Sequence, residues 1–305
     1  MRVVVVVCLL SGCGFSPTGA QGAPGDGPAA DAPPDAPPPP VQCGDLTCDP
    51  HATCVTSSAD ATCACAPGYS GDGFTCTDID ECANHTAGCL AACQNTSGSA
   101  VCYAPPSCAD LAAHGVTVNN SSHTLYLDGD PTKPYTIYCA GAGANAKEYL
   151  SLTGTNQAMY AAGGNSPGAM DVKTMFSKIR FVADQHKVDI SDLAFTSSTG
   201  SVNHSNNGTL VTAMPYAVAM DCKSFNSDSA TALIDLTGTH FALTGAAAFA
   251  EGGNHAGSST TLSNQNQQAT LTGGGYCGWN APAGAPFDPF TVDATDGVLL
   301  TLVYH

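Results

Sequence analysis

CGDLTCDPHATCVTSSADATCACAPGYSGDGFTC, residues 43–76, sets Cys43, Cys48, Cys54, Cys63, Cys65 and Cys76 within 34 residues in the spacing C-x4-C-x5-C-x8-C-x-C-x10-C. A segment this short cannot bury enough apolar surface to offset the entropy of ordering its chain. Cross-links must therefore supply the difference, at roughly 2–4 kcal/mol for each bridge. Cysteines at this density imply an oxidising compartment. Residue order alone leaves fifteen ways of pairing six cysteines. A metal cluster is the competing use, and it is disfavoured because no paired C-x2-C ligand knuckles occur in the block.

In spacing, and in the glycine-rich loop Gly68-Tyr69-Ser70-Gly71-Asp72-Gly73-Phe74, the block resembles an EGF-like module. That resemblance implies an extracellular protein and the pairs Cys43 with Cys54, Cys48 with Cys63, and Cys65 with Cys76. Directly afterwards Cys82, Cys89, Cys93 and Cys102 continue as C-x6-C-x3-C-x8-C. This is a second, shortened module, with Ala104 standing where a fifth cysteine belongs. It would pair Cys82 with Cys93 and Cys89 with Cys102. Asp78-Ile79-Asp80-Glu81-Cys82 before it and Gln94-Asn95 within it resemble the calcium-binding signature of such modules. Ca²⁺ takes six to eight hard oxygen ligands. The side chains of Asp78, Glu81 and Asn95 with the carbonyls of Ile79 and Thr96 would supply part of that shell. The module departs from the signature at Ala100, where an aromatic residue is usual.

Upstream, Val3 to Leu10 form an apolar run behind Arg2, too short for a membrane span and suited to the core of a secretory signal. Leu10-Ser11-Gly12-Cys13 resembles the lipobox of bacterial lipoproteins, which implies cleavage after residue 12 and acylation of Cys13. More than one acyl chain gives stable anchoring. Gly14 follows in place of the aspartate that retains many such proteins in the inner membrane, so we expect the outer membrane or cell surface. Residues 13–42 are rich in Pro, Ala, Gly and Asp and carry no apolar periodicity, which predicts a disordered tether. In polyproline form it would reach up to roughly 90 Å.

Sixteen cysteines are present; with Cys8 discarded and Cys13 lipidated, fourteen remain. Cys108, Cys139, Cys222 and Cys277 lie in the C-terminal part. A cysteine-bearing helix followed by a hairpin returning to Tyr138-Cys139 makes Cys108 with Cys139 the natural bridge, leaving Cys222 with Cys277. The alternative is that Cys108 completes the shortened module. The even count leaves no thiol for nucleophilic or redox chemistry.

That part reads as mostly β. Strands are expected at Thr124–Leu127, Pro134–Cys139, Glu148–Leu152, Phe176–Phe181, Lys187–Ile190, Leu233–Leu236 and His240–Leu243, punctuated by glycine, asparagine and proline. One helix is expected over Ser107–Gly115, with Ser107 as N-cap, Asp110 as its reciprocal acid and Gly115 as the stop. Val298 to Tyr304 would form a closing strand over a sheet edge. The order of Ser107-Cys108-Ala109-Asp110-Leu111, Tyr135-Thr136-Ile137-Tyr138-Cys139, Lys147 to Leu152, Phe176 to Arg180, Asp221-Cys222, Ile234 to Thr239 and Gly274-Gly275-Tyr276-Cys277-Gly278 resembles the GON domain. Such domains end certain secreted ADAMTS metalloendopeptidases, where they are ancillary. The resemblance implies a β-rich, sandwich-like fold. The expected layout is a signal at 1–12, the tether at 13–42, modules at 43–77 and 78–106, a GON-like domain at 107–280 and a strand extension at 281–305.

No H-E-x-x-H run and no G-x-S-x-G elbow occurs, so no catalytic residue is assigned. The histidines at 51, 85, 114, 123, 186, 204, 240, 255 and 305 are scattered, mostly among turn residues, and read as surface side chains. Asp184, Asp189 and Asp192 read as solvated carboxylates at strand ends. The N-x-Ser/Thr asparagines at 84, 95, 119, 120, 203 and 207 read as turn residues.

Eight Lys plus Arg against 25 Asp plus Glu give a net charge of −17, which disfavours nucleic acid and anionic lipid. The expected function is a surface-anchored extracellular binding or adhesion lipoprotein, binding calcium and without catalytic activity. Its partner would be an extracellular protein or carbohydrate, with membrane contact through the lipid alone. The alternative is an accessory, or zinc-binding, component of a metalloendopeptidase system.

Overall fold

Tyr135, Ile137 and Cys139 point to the same side of one extended stretch, and burying that side requires a partner layer. In the computed structural model, Pro134–Ala142 is a strand with those three side chains buried and with Pro134, Thr136, Gly141 and Ala142 exposed. Residues 38–56, 60–162, 170–204, 208–223, 230–253, 258–275, 277–284 and 298–305 are described. Cys13 and nearly all of the proposed tether lie outside them.

The chain divides into two compact units, Met1–Cys65 with Gly71–Cys76, and Ala66–Ser70 with Thr77–His305. In the first, Val41–Cys43 pairs with Leu46–Cys48, and Ala52–Thr56 pairs with Ala61–Cys65. A small core of Cys43, Cys48 and Ala52 forms around the bridges Cys43–Cys54, Cys48–Cys63 and Cys65–Cys76.

The second unit holds the hairpin Ala92–Thr96 with Ser99–Tyr103 and the bridges Cys82–Cys93 and Cys89–Cys102. Its larger part is two sheets sharing one hydrophobic core. One sheet has seven strands in the spatial order Phe241–Leu243, Leu299–Tyr304, Lys187–Asp189, Lys178–Val182, Lys147–Ser151, Pro134–Ala142 and Asn119–Tyr126. The other has nine. Its main path runs Phe249–Gly252, Gly278–Pro282, Ala219–Asp221, Gln157–Ala161, Ala230–Asp235, Gln268–Gly273 and Ser259–Ser263, while Val172–Phe176 pairs with Gln157–Ala161 and Thr196–Thr199. Alternation drives the packing: Ala230, Ala232 and Ile234 turn inward on one strand, Ala269 and Leu271 on its neighbour. Tyr135 meets Phe181 and Phe241 edge-on, with centroids 5.8 and 5.2 Å apart. Each fully buried aliphatic or aromatic side chain contributes roughly 1.5–3 kcal/mol. The fold is mostly β, with disulfide-rich N-terminal modules and a two-sheet C-terminal domain.

Three local expectations are corrected. Phe176 and Phe181 belong to different strands, because the chain bends at Ser177 between Val172–Phe176 and Lys178–Val182. Leu299–Tyr304 does not end a sheet: it lies between Lys187–Asp189 and Phe241–Leu243, burying Leu300 and Leu302. Asn95, Asn119, Asn120 and Asn203 lie in strands rather than turns. Asn207 falls outside the described residues.

The helix is Cys108–Ala113, where Ser107 Oγ accepts from Asp110 N at 3.0 Å and Gly115 takes φ +79° past its end. Asp110 is not the reciprocal acid. Its carboxylate lies 3.7 Å from His114 Nδ1 and accepts no bond from the Ser107 N–H among the described residues, while the next N–H, of Cys108, donates to Glu148 Oε1 at 3.0 Å, from a distant strand. The bridges of this domain are Cys108–Cys139 and Cys222–Cys277.

Candidate functional site

Asp78 sits at the end of the strand Cys76–Asp78, and the turn of the following hairpin is aimed at it. Its Oδ2 accepts from Asn95 Nδ2 at 2.7 Å and its Oδ1 from Gly98 N at 2.5 Å. Thr96 and Ser99 face each other across a two-residue turn of Ser97 and Gly98, with Gly98 at φ +74°, a conformation that suits glycine. The turn is also packed from outside, because Tyr69 Oη and Ser97 Oγ are 2.6 Å apart and Gly68 O accepts from Ile79 N at 2.9 Å. These contacts explain why residues 66–70, within the loop of the first cysteine block, belong to the second unit.

The expected calcium ligands are therefore only partly gathered. Asp78 and Asn95 touch, and Thr96 follows on the same strand, its Oγ1 donating to Ser99 O at 2.8 Å. Glu81 is elsewhere: its carbonyl accepts from Ala87 N at 3.1 Å, and its side chain lines a cavity of about 140 Å³ with Cys82, His85 and Cys89, whose walls do not include Asp78, Asn95 or Thr96. There Glu81 Oε2 is buried and accepts no hydrogen bond from the described residues. A carboxylate oxygen in that condition is poorly solvated and has acceptor capacity left for a cation.

The three aspartates near residue 190 form no common site. Asp189 Oδ1 accepts from Ser191 N and Oγ, Asp192 Oδ2 accepts from Tyr149 Oη at 2.8 Å, and Asp184 is exposed. Burial, aided by the Asp192 carboxylate, pushes the Tyr149 phenol well above its ordinary range, so it remains a donor.

One histidine departs from expectation. His204 is fully buried, not a surface residue. It follows the two-residue strand Val202–Asn203, and its backbone closes a hairpin with Gly208 and Thr209 through N–H···O bonds of 2.8 Å. Val202 turns inward, Asn203 outward, and His204 inward again. Its Nδ1 lies 3.0 Å from Tyr160 Oη. Beside it are Cys222 and Cys277, and one ligand atom from each of the three residues lies within 4.8 Å of the others, the one such group of three found among the described residues. The signal available in the sequence was the V-x-H alternation. It was obscured by the surrounding Ser and Asn residues, which read as turn.

A shallow apolar groove of about 350 Å³ lies along Leu90, Ala91, Tyr103, Ala104, Gly129 and Pro131, with Leu90 83% exposed. No helix among the described residues is long and apolar enough to cross a membrane.

Residues 165–286 match the family model of the GON domain, and residues 61–81 match that of the Complement Clr-like EGF-like domain. Among curated proteins the chain is 43% identical to mouse nidogen-2 over 94 residues, 30% of this chain and 6% of that protein. It is 38% identical to dog adhesion G protein-coupled receptor E2 over 113 residues, 33% of this chain and 13% of the receptor. With rat uromodulin the identity is 47% over 57 residues, 18% of this chain and 9% of uromodulin. The chain thus spans only a small part of each of these relatives. No solved structure matches it. The GON match begins later than Ser107, leaving the helix and first hairpin of the two-sheet domain outside it. The chain therefore has an EGF-like plus GON architecture.

Proposed function

We propose that this chain is an extracellular binding or adhesion protein, held at a bacterial cell surface by acyl chains on Cys13, with calcium bound at its EGF-like region and no catalysis of its own. The observation that carries the calcium reading is the convergence of Asp78, Asn95 and the Gly98 turn. Two features of that junction suit a hard cation. Asp78 is a carboxylate at the start of the second module, and Asn95 can present its amide oxygen to the same point by rotating its amide.

Calcium would take Asp78, Asn95 and the carbonyls of Ile79 and Thr96, with Glu81 swinging its Oε2 out of the neighbouring cavity to complete the shell. Its effect is mechanical. The ion ties the linker before Cys82 to the hairpin turn, which fixes the groove lined by Leu90 and Tyr103 for a protein partner. An exposed leucine beside an aromatic side chain favours protein over carbohydrate. The adhesion named in the dog receptor relative agrees with this reading.

Thermal unfolding of the full chain with added Ca²⁺ tests it. A calcium-dependent rise in Tm that disappears in Asp78→Asn and shrinks in Glu81→Gln is expected. An equal rise in all three proteins would refute the site.

A further inference from the structure

We propose that His204, Cys222 and Cys277 form one site with two states, a disulfide when oxidised and a Cys2His centre for Zn²⁺ when reduced. This rests on residues remote in sequence from the calcium junction and does not depend on that reading. The three potential ligand atoms already lie within 4.8 Å of one another. Thiolate sulfur and imidazole nitrogen are the donor types Zn²⁺ prefers, and three protein ligands leave a fourth position for water.

The fold holds each donor in place. Cys222 N donates to Ala161 O at 2.9 Å and Cys277 N to Asp221 O at 2.7 Å, so both cysteines are fixed to neighbouring strands by their backbone, independently of the S–S bond. Asp221 pairs with Gly278, which places the two cysteines side by side. Cys277 holds φ +62°, a left-handed conformation that glycine or asparagine adopts more readily. A cysteine kept there against its backbone preference is kept for its sulfur. Tyr160 Oη beside Nδ1 orients the His204 ring, as an outer partner orients a metal-ligating imidazole, and assigns the metal to Nε2.

Access also distinguishes this bridge. Cys222 and Cys277 are half-buried, whereas Cys108 and Cys139 of the same domain are fully buried. The former pair is thus the more accessible of the two to an external dithiol. Its thiolate attacks one cysteine sulfur, the S–S bond breaks, and the second thiol of the reductant closes to its own disulfide. Two electrons and two protons are thereby transferred to Cys222 and Cys277. Zn²⁺ then displaces both thiol protons on binding. The reverse exchange with a small-molecule disulfide returns the site: one thiolate attacks that disulfide, the second displaces the mixed disulfide, the two electrons leave as two thiolates of the oxidant, and the ion is released as the S–S bond re-forms.

The test uses the full chain, titrated with a dithiol and freed of it without oxygen, with freed cysteines identified by alkylation and mass spectrometry. Co²⁺ serves as the spectroscopic probe and Zn²⁺ as its competitor. Opening of Cys222–Cys277 before Cys108–Cys139 is expected, together with thiolate-to-cobalt absorption that appears only after that opening and is displaced by one Zn²⁺ per chain. His204→Ala should weaken binding at least tenfold, and Tyr160→Phe by roughly 10–100-fold. The double variant Cys222→Ser with Cys277→Ser should keep the wild-type circular dichroism spectrum and bind no Co²⁺. Absence of Co²⁺ binding by the reduced chain, undiminished binding by His204→Ala, or unfolding of the double serine variant would each overturn the proposal.

Discussion

Glu148 and Arg180 form a 3.0 Å ion pair at the root of the C-terminal domain, and the remaining carboxylate oxygen of Glu148 caps Cys108 N at the same distance. The glutamate thereby joins the helix Cys108–Ala113, the bridge Cys108–Cys139 and the strand Lys178–Val182. Arg180 Nη1 also donates to the carbonyls of Glu148 and Phe181, so its charge is enclosed by acceptors.

Removing the glutamate side chain leaves a guanidinium without its counter-charge, held only by main-chain carbonyls, and a helix N–H without its acceptor. Glu148→Ala should destabilise the domain by about 3 kcal/mol, while replacing both charged partners by apolar residues should cost less, because it removes the unpaired charge and leaves only the Cys108 N–H without an acceptor. Chemical denaturation of the single variant and of Glu148→Leu with Arg180→Met checks this. The two should differ.

Gly98 joins the calcium junction to Tyr69. A Cβ on Gly98 would approach Tyr69 Cε2 to 2.6 Å, at a backbone φ of +74° that disfavours any L side chain. Gly98→Ala should therefore cost at least about 1 kcal/mol. It should also weaken calcium binding more than Ser97→Ala, which removes only the 2.6 Å contact with Tyr69 Oη. Calorimetric titration with Ca²⁺ reads both variants.

Asp235 gives the domain an acid limb. Burial raises the affinity of its carboxyl for a proton, but the hydroxyl and N–H of Thr237 and the amide of Gln268 outweigh burial and hold it below the ordinary carboxylate value. A depressed folded-state value means that the ionised form stabilises the fold above about pH 4 and that this contribution is lost as pH falls through the folded value. Asp235→Asn should lower Tm at neutral pH and flatten its decline between about pH 5 and pH 2. A parallel decline in both proteins would show that the carboxylate carries no such linkage.

Sequence and structure agree where the physics is local. The cysteine block, the alternating tract ending in Cys139 and the N-cap at Ser107 each depend on neighbours a few residues away. Agreement ends where pairing is long-range. Gln157–Ala161 runs parallel to Ala219–Asp221, and both are buried on both faces, so neither strand announces itself by alternation. Asp110 looks like a capping acid because the usual partner lies three residues along, whereas the acceptor that reaches the helix comes from 40 residues away. Glu81 fits a spacing signature, yet it lines a cavity whose walls do not include Asp78. His204 is hidden for a related reason, since two inward positions around a two-residue strand are too few to show a period.

Display of this architecture at a surface is the central claim, and the N-terminal peptide reports on it directly. Mass spectrometry of the mature protein extracted from the membranes of the producing cell should find the peptide beginning at Cys13, its mass increased by acyl chains. An unmodified N-terminal peptide, or one that begins at another residue, would contradict the anchored display role.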